Sequence, residues 1–126
     1  MFLVRKDTKQ NRLYLTIQGV ISVSDALQMK EQIVKEAEEL QPGFCTINDM
    51  SKFIKGDDIS APVLKWVIDF LLKKEIGYIV RIIGTSKTGL MQFAKHSPQD
   101  ASDKIKYVPT LKEAEKLLSE LKKENS

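Results

Sequence analysis

The sequence predicts an α/β fold: one domain over 1–126, a mixed β-sheet covered by helices, with elements in the order β-β-α-β-α-β-α-β-α. Three observations carry this reading. Gly43-Phe44-Cys45-Thr46-Ile47 and Tyr78-Ile79-Val80-Arg81-Ile82-Ile83 are short, mostly apolar runs closed by glycine or polar residues, the pattern of buried strands. A strongly apolar segment of helix length lies between them, as a crossover between parallel strands requires. The chain also opens on an alternating pattern and closes on a single apolar stripe, a hairpin over 1–20 and an amphipathic helix over 110–124.

Taken in order, Phe2 to Asp7 reads as a strand and Arg12 to Gln18 as a second. Leu13, Leu15 and Ile17 alternate there with Tyr14, Thr16 and Gln18, so one face is buried. The polar run Asp7 to Asn11 suits a hairpin loop and predicts antiparallel pairing. Ser22-Val23-Ser24-Asp25 starts a helix, with Ala26, Met29, Ile33, Ala37 and Leu40 on its apolar side, and Pro42-Gly43 stops it. The third strand is expected over Phe44 to Asn48, followed by a loop from Ser51 to Asp58. The next helix runs from about Ser60 to Lys74, with Pro62 tolerated in its first turn. A strand over Tyr78 to Ile83, a short helix over Leu90 to Lys95 and a strand over Lys104 to Val108 follow. Thr110-Leu111-Lys112-Glu113 is a capping box for the last helix, whose stripe is Leu111, Ala114, Leu117, Leu118 and Leu121.

Composition narrows the class. The 126 residues are 42% hydrophobic and 29% charged, enough to bury a core in one domain. Twenty basic residues stand against seventeen acidic ones, a balance that speaks against a nucleic-acid footprint. The one cysteine forms no internal disulfide, which suits a reducing compartment. No run is long enough to span a bilayer, and Met1 to Lys6 turns charged too early for a secretory signal, so the cytoplasm is the expected location.

Chemistry-bearing residues are sparse. Asp49 and Ser51 are expected where the third strand emerges, with Asp57, Asp58 and Ser60 leading into the next helix. A serine at a helix start can be phosphorylated, and the charge is then favoured by free amides and the helix dipole. The competing reading makes Asp58 or Ser60 an N-cap and Asp57 a solvated acid. A cation held by these carboxylates is the weakest option, since the spacing matches no cation loop. Gly84 to Gly89 lacks the lysine and hydroxyl that a Walker loop places after its second glycine. His96 is the only histidine, and Cys45 sits inside an apolar strand. No catalytic set, metal site or cofactor motif emerges.

The helix from Val63 to Leu72 is apolar nearly all round, broken only by Lys65 and Asp69. Such a helix is either deeply buried or offers a second face to a partner. Trp66 and Phe70, one turn apart, with Val63, mark that face. They anchor a contact, pack over the sheet or line an apolar pocket.

Ile47-Asn48-Asp49-Met50-Ser51, the segment Asp57-Asp58-Ile59-Ser60 and the strand Tyr78 to Gly84 together resemble the STAS domain. That family includes bacterial anti-sigma-factor antagonists and cytoplasmic tails of sulphate transporters. The resemblance covers nearly the whole chain. It implies a non-enzymatic regulatory module acting through protein contact, with an Asp-x-Ser strand end and a phosphorylatable serine at a helix start. Asp49-Met50-Ser51 matches the first element. Asp58-Ile59-Ser60-Ala61 keeps the acid and one serine of the second, lacks its glycine and runs into Pro62. A divergent single-domain branch, similar to STAS-like proteins grouped with the lipid-binding SEC14 fold, is the position implied. Its partner is expected to be a protein or a second copy of the chain as a homodimer; the alternative is a small apolar or lipid ligand. No nucleic acid is expected.

Overall fold

The computed structural model describes residues 1–56, 61–84 and 103–124. Five strands form one sheet in the order β1-β2-β3-β4-β5, the order in which they occur along the chain. β1 (Phe2–Asp7) and β2 (Arg12–Ile21) pair antiparallel, with Phe2 opposite Ile17 and Asp7 opposite Arg12. The predicted hairpin is present. Its loop holds Asn11 at a positive φ of 56°, a conformation that asparagine tolerates. Asn11 also exchanges two hydrogen bonds with Gln41, donating from Nδ2 to the carbonyl (3.1 Å) and accepting the Gln41 N–H (2.8 Å). The hairpin loop is thereby tied to the turn before the third strand.

α1 (Val23–Ala37) starts at Ser22, whose Oγ accepts the Asp25 N–H while the Asp25 carboxylate accepts the Ser22 N–H. This reciprocal box satisfies amides that the first helical turn leaves free. Ala26, Met29, Ile33 and Ala37 form its buried face, as their spacing predicts. On the outside, Lys6 of β1 forms ion pairs with Glu39 and Glu36, the latter at 3.1 Å.

β3 (Cys45–Gly56) pairs parallel with both β2 and β4 (Ile79–Ile82), and β4 pairs parallel with β5 (Ile105–Val108). The length of β3 corrects the expectation: Ser51 to Gly56 is strand, not loop. β2 continues to Ile21, and Gln18 to Ile21 take Lys52, Phe53, Lys55 and Gly56 as partners across two register shifts. Phe53 is buried while Ile54 is 58% exposed, so a strand alternation runs through a stretch whose charges suggested a turn. β4 is two residues shorter than the expected strand.

α2 (Ala61–Lys73) and α1 lie on one face of the sheet over the larger core, built from residues including Leu13, Ile17, Phe44, Met50, Phe53, Val67, Ile68 and Leu71. α3 (Leu111–Glu124) covers β3, β4 and β5 on the other face, over Ile47, Val80, Ile82, Val108, Ala114 and Leu118. Thr110 Oγ1 accepts the Glu113 N–H at 3.2 Å, the hydroxyl half of the expected capping box. The helix expected over Leu90 to Lys95 lies outside the described residues. β4 is buried on both sides, because α2 and α3 sandwich the strands between them.

Candidate functional site

The apolar surplus of α2 divides by face. Val67, Ile68 and Leu71 are buried beneath the helix, and Val63, Leu64 and Phe70 pack partly against the same core. Trp66 stays 42% exposed. Its ring stacks on Phe70 with centroids 5.5 Å apart and planes within 5°. Lys30 of α1 places its Nζ 4.1 Å from the centroid of Trp66, and Lys74 places its Nζ 5.9 Å from that of Phe70. A cation over an aromatic face is attracted by the ring quadrupole. The outer surface of α2 is therefore an aromatic pair flanked by cations, with the indole open to solvent.

Asp49 and Ser51 come together inside β3 rather than past its end. Asp49 Oδ1 accepts both the Ser51 N–H (3.0 Å) and the Ser51 O–H (2.7 Å). Asp49 does mark the last pair between β3 and β4, opposite Ile82. Beyond it the chain of β4 turns at Gly84, where φ is +50° and an added Cβ would stand 2.7 Å from Ser51 Cβ. Only a glycine passes so close in that conformation. Asp58 and Ser60, the other half of the expected corner, lie outside the described residues, as do Asp57, His96 and most of Gly84 to Gly89.

Cys45 is half-buried, and desolvation pushes its thiol pKa up. A raised thiol pKa leaves little thiolate to act as a nucleophile. Cys45 and Asp49 are four residues apart on one strand, about 13 Å at strand rise, too far to act as a pair. Among the described residues no three of His, Cys, Asp and Glu gather to hold a metal ion.

Arg81 is the residue that sequence reasoning missed. It is 1% exposed in the middle of β4, directly across from Tyr107 of β5, and donates from Nη1 to the Tyr107 hydroxyl at 3.0 Å. Burial lowers its pKa, and the Tyr107 interaction opposes that shift. The signal was available: a lone charge in a strand read as covered on both faces.

A second feature was not legible at all. On the α3 face, beside that helix, the sheet opens into a cleft of about 220 Å³. Leu3, Arg5, Tyr14, Thr16, Ile47, Asp49 and Ile82 of the sheet line it, with Leu111 of α3. The lining comes from four strands, and no local motif reports it.

No family model matches the chain, and no curated protein matches it. Solved structures do. The anti-sigma-factor antagonist SpoIIAA in its unphosphorylated form aligns at a TM-score of 0.66 and 9% identity, over 97% of this chain and 98% of that one. An uncharacterised protein of the DUF3478 family from Shewanella loihica PV-4, with a SpoIIAA-like fold, aligns at 0.61 and 16% identity, over 94% and 92%. Mglu aligns at 0.52 and 13% identity, over 69% of this chain but only 20% of its own length. The chain has the SpoIIAA-like, STAS-like α/β fold that the resemblance implies.

Proposed function

We propose that this chain is a non-enzymatic regulatory module of the STAS-like type that works by protein contact in the cytoplasm, through the outer surface of α2. Trp66 carries the reading. A large aromatic ring left open to solvent, yet fixed by the Phe70 stack and by Lys30, suits an anchor for a partner, because little side-chain entropy remains to be lost on docking. The partner is another protein or a second copy of the chain. Two observations accompany it: the fold is shared with an anti-sigma-factor antagonist, and no helix among the described residues is long and apolar enough to cross a membrane. Ser60, which follows Asp58 by two positions in the sequence just before α2, is the candidate phosphosite. The alternative, a lipid module of the SEC14-like type with a cavity beneath α2, has less support, since Val67, Ile68 and Leu71 fill the underside of that helix.

The test is a pull-down from the native host, paired with sedimentation of the pure protein, using the wild type and Trp66→Ala. The expected result is loss of a retained partner, or of self-association, in a variant whose melting temperature stays close to that of the wild type. Identical association in both proteins overturns the reading, as does a Trp66→Ala variant that unfolds without any change in association. Mass spectrometry of the native protein checks the phosphosite separately; an unmodified Ser60 in every growth state removes the switch and leaves the contact surface standing.

A further inference from the structure

The cleft on the opposite face of the sheet has a chemistry of its own. Two cross-strand rows form its floor: Leu3, Thr16, Asp49 and Ile82 in one, Arg5, Tyr14 and Ile47 in the next. Leu111 supplies the wall, and it and Leu3 are both large apolar side chains left about half exposed or more. Arg5 stands at one end, its guanidinium 4.2 Å from the centroid of Tyr14, and among the described residues it makes no ion pair. Asp49 stands two strands away. Ser51, two residues on, donates to Asp49 Oδ1, which fixes the carboxylate, and among the described residues no donor is bonded to Oδ2.

We propose that this cleft binds a small carboxylate with an apolar body and a hydrogen-bond donor at its far end. The carboxylate meets Arg5, whose planar fork matches it and whose stack on Tyr14 holds it in place. The body lies over Ile47, Ile82 and Leu111. The donor, a hydroxyl or ammonium, bonds to Asp49. A bare anion such as phosphate gains nothing from the apolar floor and is repelled by Asp49. A long acyl chain exceeds the volume, which lies below the range typical of drug-sized ligands. The site is independent of the contact surface on α2, because the sheet separates them.

The experiment titrates isotope-labelled full-length protein with 4-hydroxyphenylacetate, phenylacetate and 4-methylphenol and follows backbone amide shifts. The expected result is saturable shifts at Arg5, Tyr14, Thr16 and Asp49 with 4-hydroxyphenylacetate. Affinity then falls about tenfold or more for 4-methylphenol and for Arg5→Gln, the scale of one charge-assisted hydrogen bond. Phenylacetate binds with intermediate affinity, and Trp66→Ala binds like the wild type. Arg5 is exposed, so Arg5→Gln keeps the fold, and its melting temperature verifies this. The proposal is overturned by unsaturable shifts at millimolar ligand, by equal affinity in Arg5→Gln, or by a dimer in solution whose interface covers Leu3 and Leu111.

Discussion

Arg81 sets a guanidinium among the apolar residues of β4, where transfer from water is costly unless its donors are met. The Tyr107 hydroxyl meets one of them, and the guanidinium carbon lies 5.7 Å from the centroid of the same ring. The charge itself stays, because a guanidinium is not deprotonated in proteins even when burial lowers its pKa. Removing the Tyr107 hydroxyl while keeping the charge therefore takes away one charge-assisted hydrogen bond inside the sheet. Tyr107→Phe is expected to lower unfolding stability by about 1–2 kcal/mol in urea denaturation. A Tyr107→Phe protein as stable as the wild type would show that the bond contributes little. The sequence announces Arg81 as an exception and does not point to Tyr107, which lies twenty-six positions away and reaches it only through the β4–β5 register.

Elements whose ends are set by local chemistry were readable in advance. α1 begins where Ser22 and Asp25 cap each other, and Ser22→Ala is expected to cost about 1 kcal/mol, seen as a lower melting temperature. Asp25→Asn tests the same box from its other side; a Ser22→Ala protein melting with the wild type would mean that water replaces the cap without loss. The helix stripes, the hairpin and the strands around Ile47 and Val80 follow from periodicities that neighbours along the chain impose. β3 did not, because its second half is set by a neighbour across the sheet. Ser51 to Gly56 has the lysines, serine and glycine of a turn, yet Gln18 to Ile21 of β2 present unpaired backbone groups that this stretch satisfies. For the same reason the Asp49–Ser51 pair was foreseen as neighbours but placed at a strand end. The excess apolar surface on α2 was legible as a question, and only packing shows that Trp66 is the side chain left over. The cleft, assembled from four strands and a helix, had no local signature.

Across the whole molecule the sheet separates two cores of unequal size, and this has a consequence for how it opens. The larger, under α1 and α2, takes side chains from the sheet, both helices and their connections. Among the described residues the smaller is sealed by α3, through buried Ala114 and Leu118 with Leu117 and Leu121 at its margin. Undocking α3 exposes only the smaller core, while β1 to β4 remain paired over the larger one. Stability is distributed in cooperative units of this kind, and a terminal helix with one short seam is expected to open before the rest. Native-state hydrogen exchange should then show α3 amides opening at lower free energy than those of Thr46 to Asp49 in β3. A substitution in the larger core separates the two processes. Ile33→Val, buried beneath α1, is expected to lower the opening free energy of the β3 amides by about 0.5–1.5 kcal/mol. It leaves the α3 amides unchanged, since Ile33 is packed the same way before and after α3 undocks. An equal fall at both places would mean that the two cores melt as one and that α3 has no opening of its own.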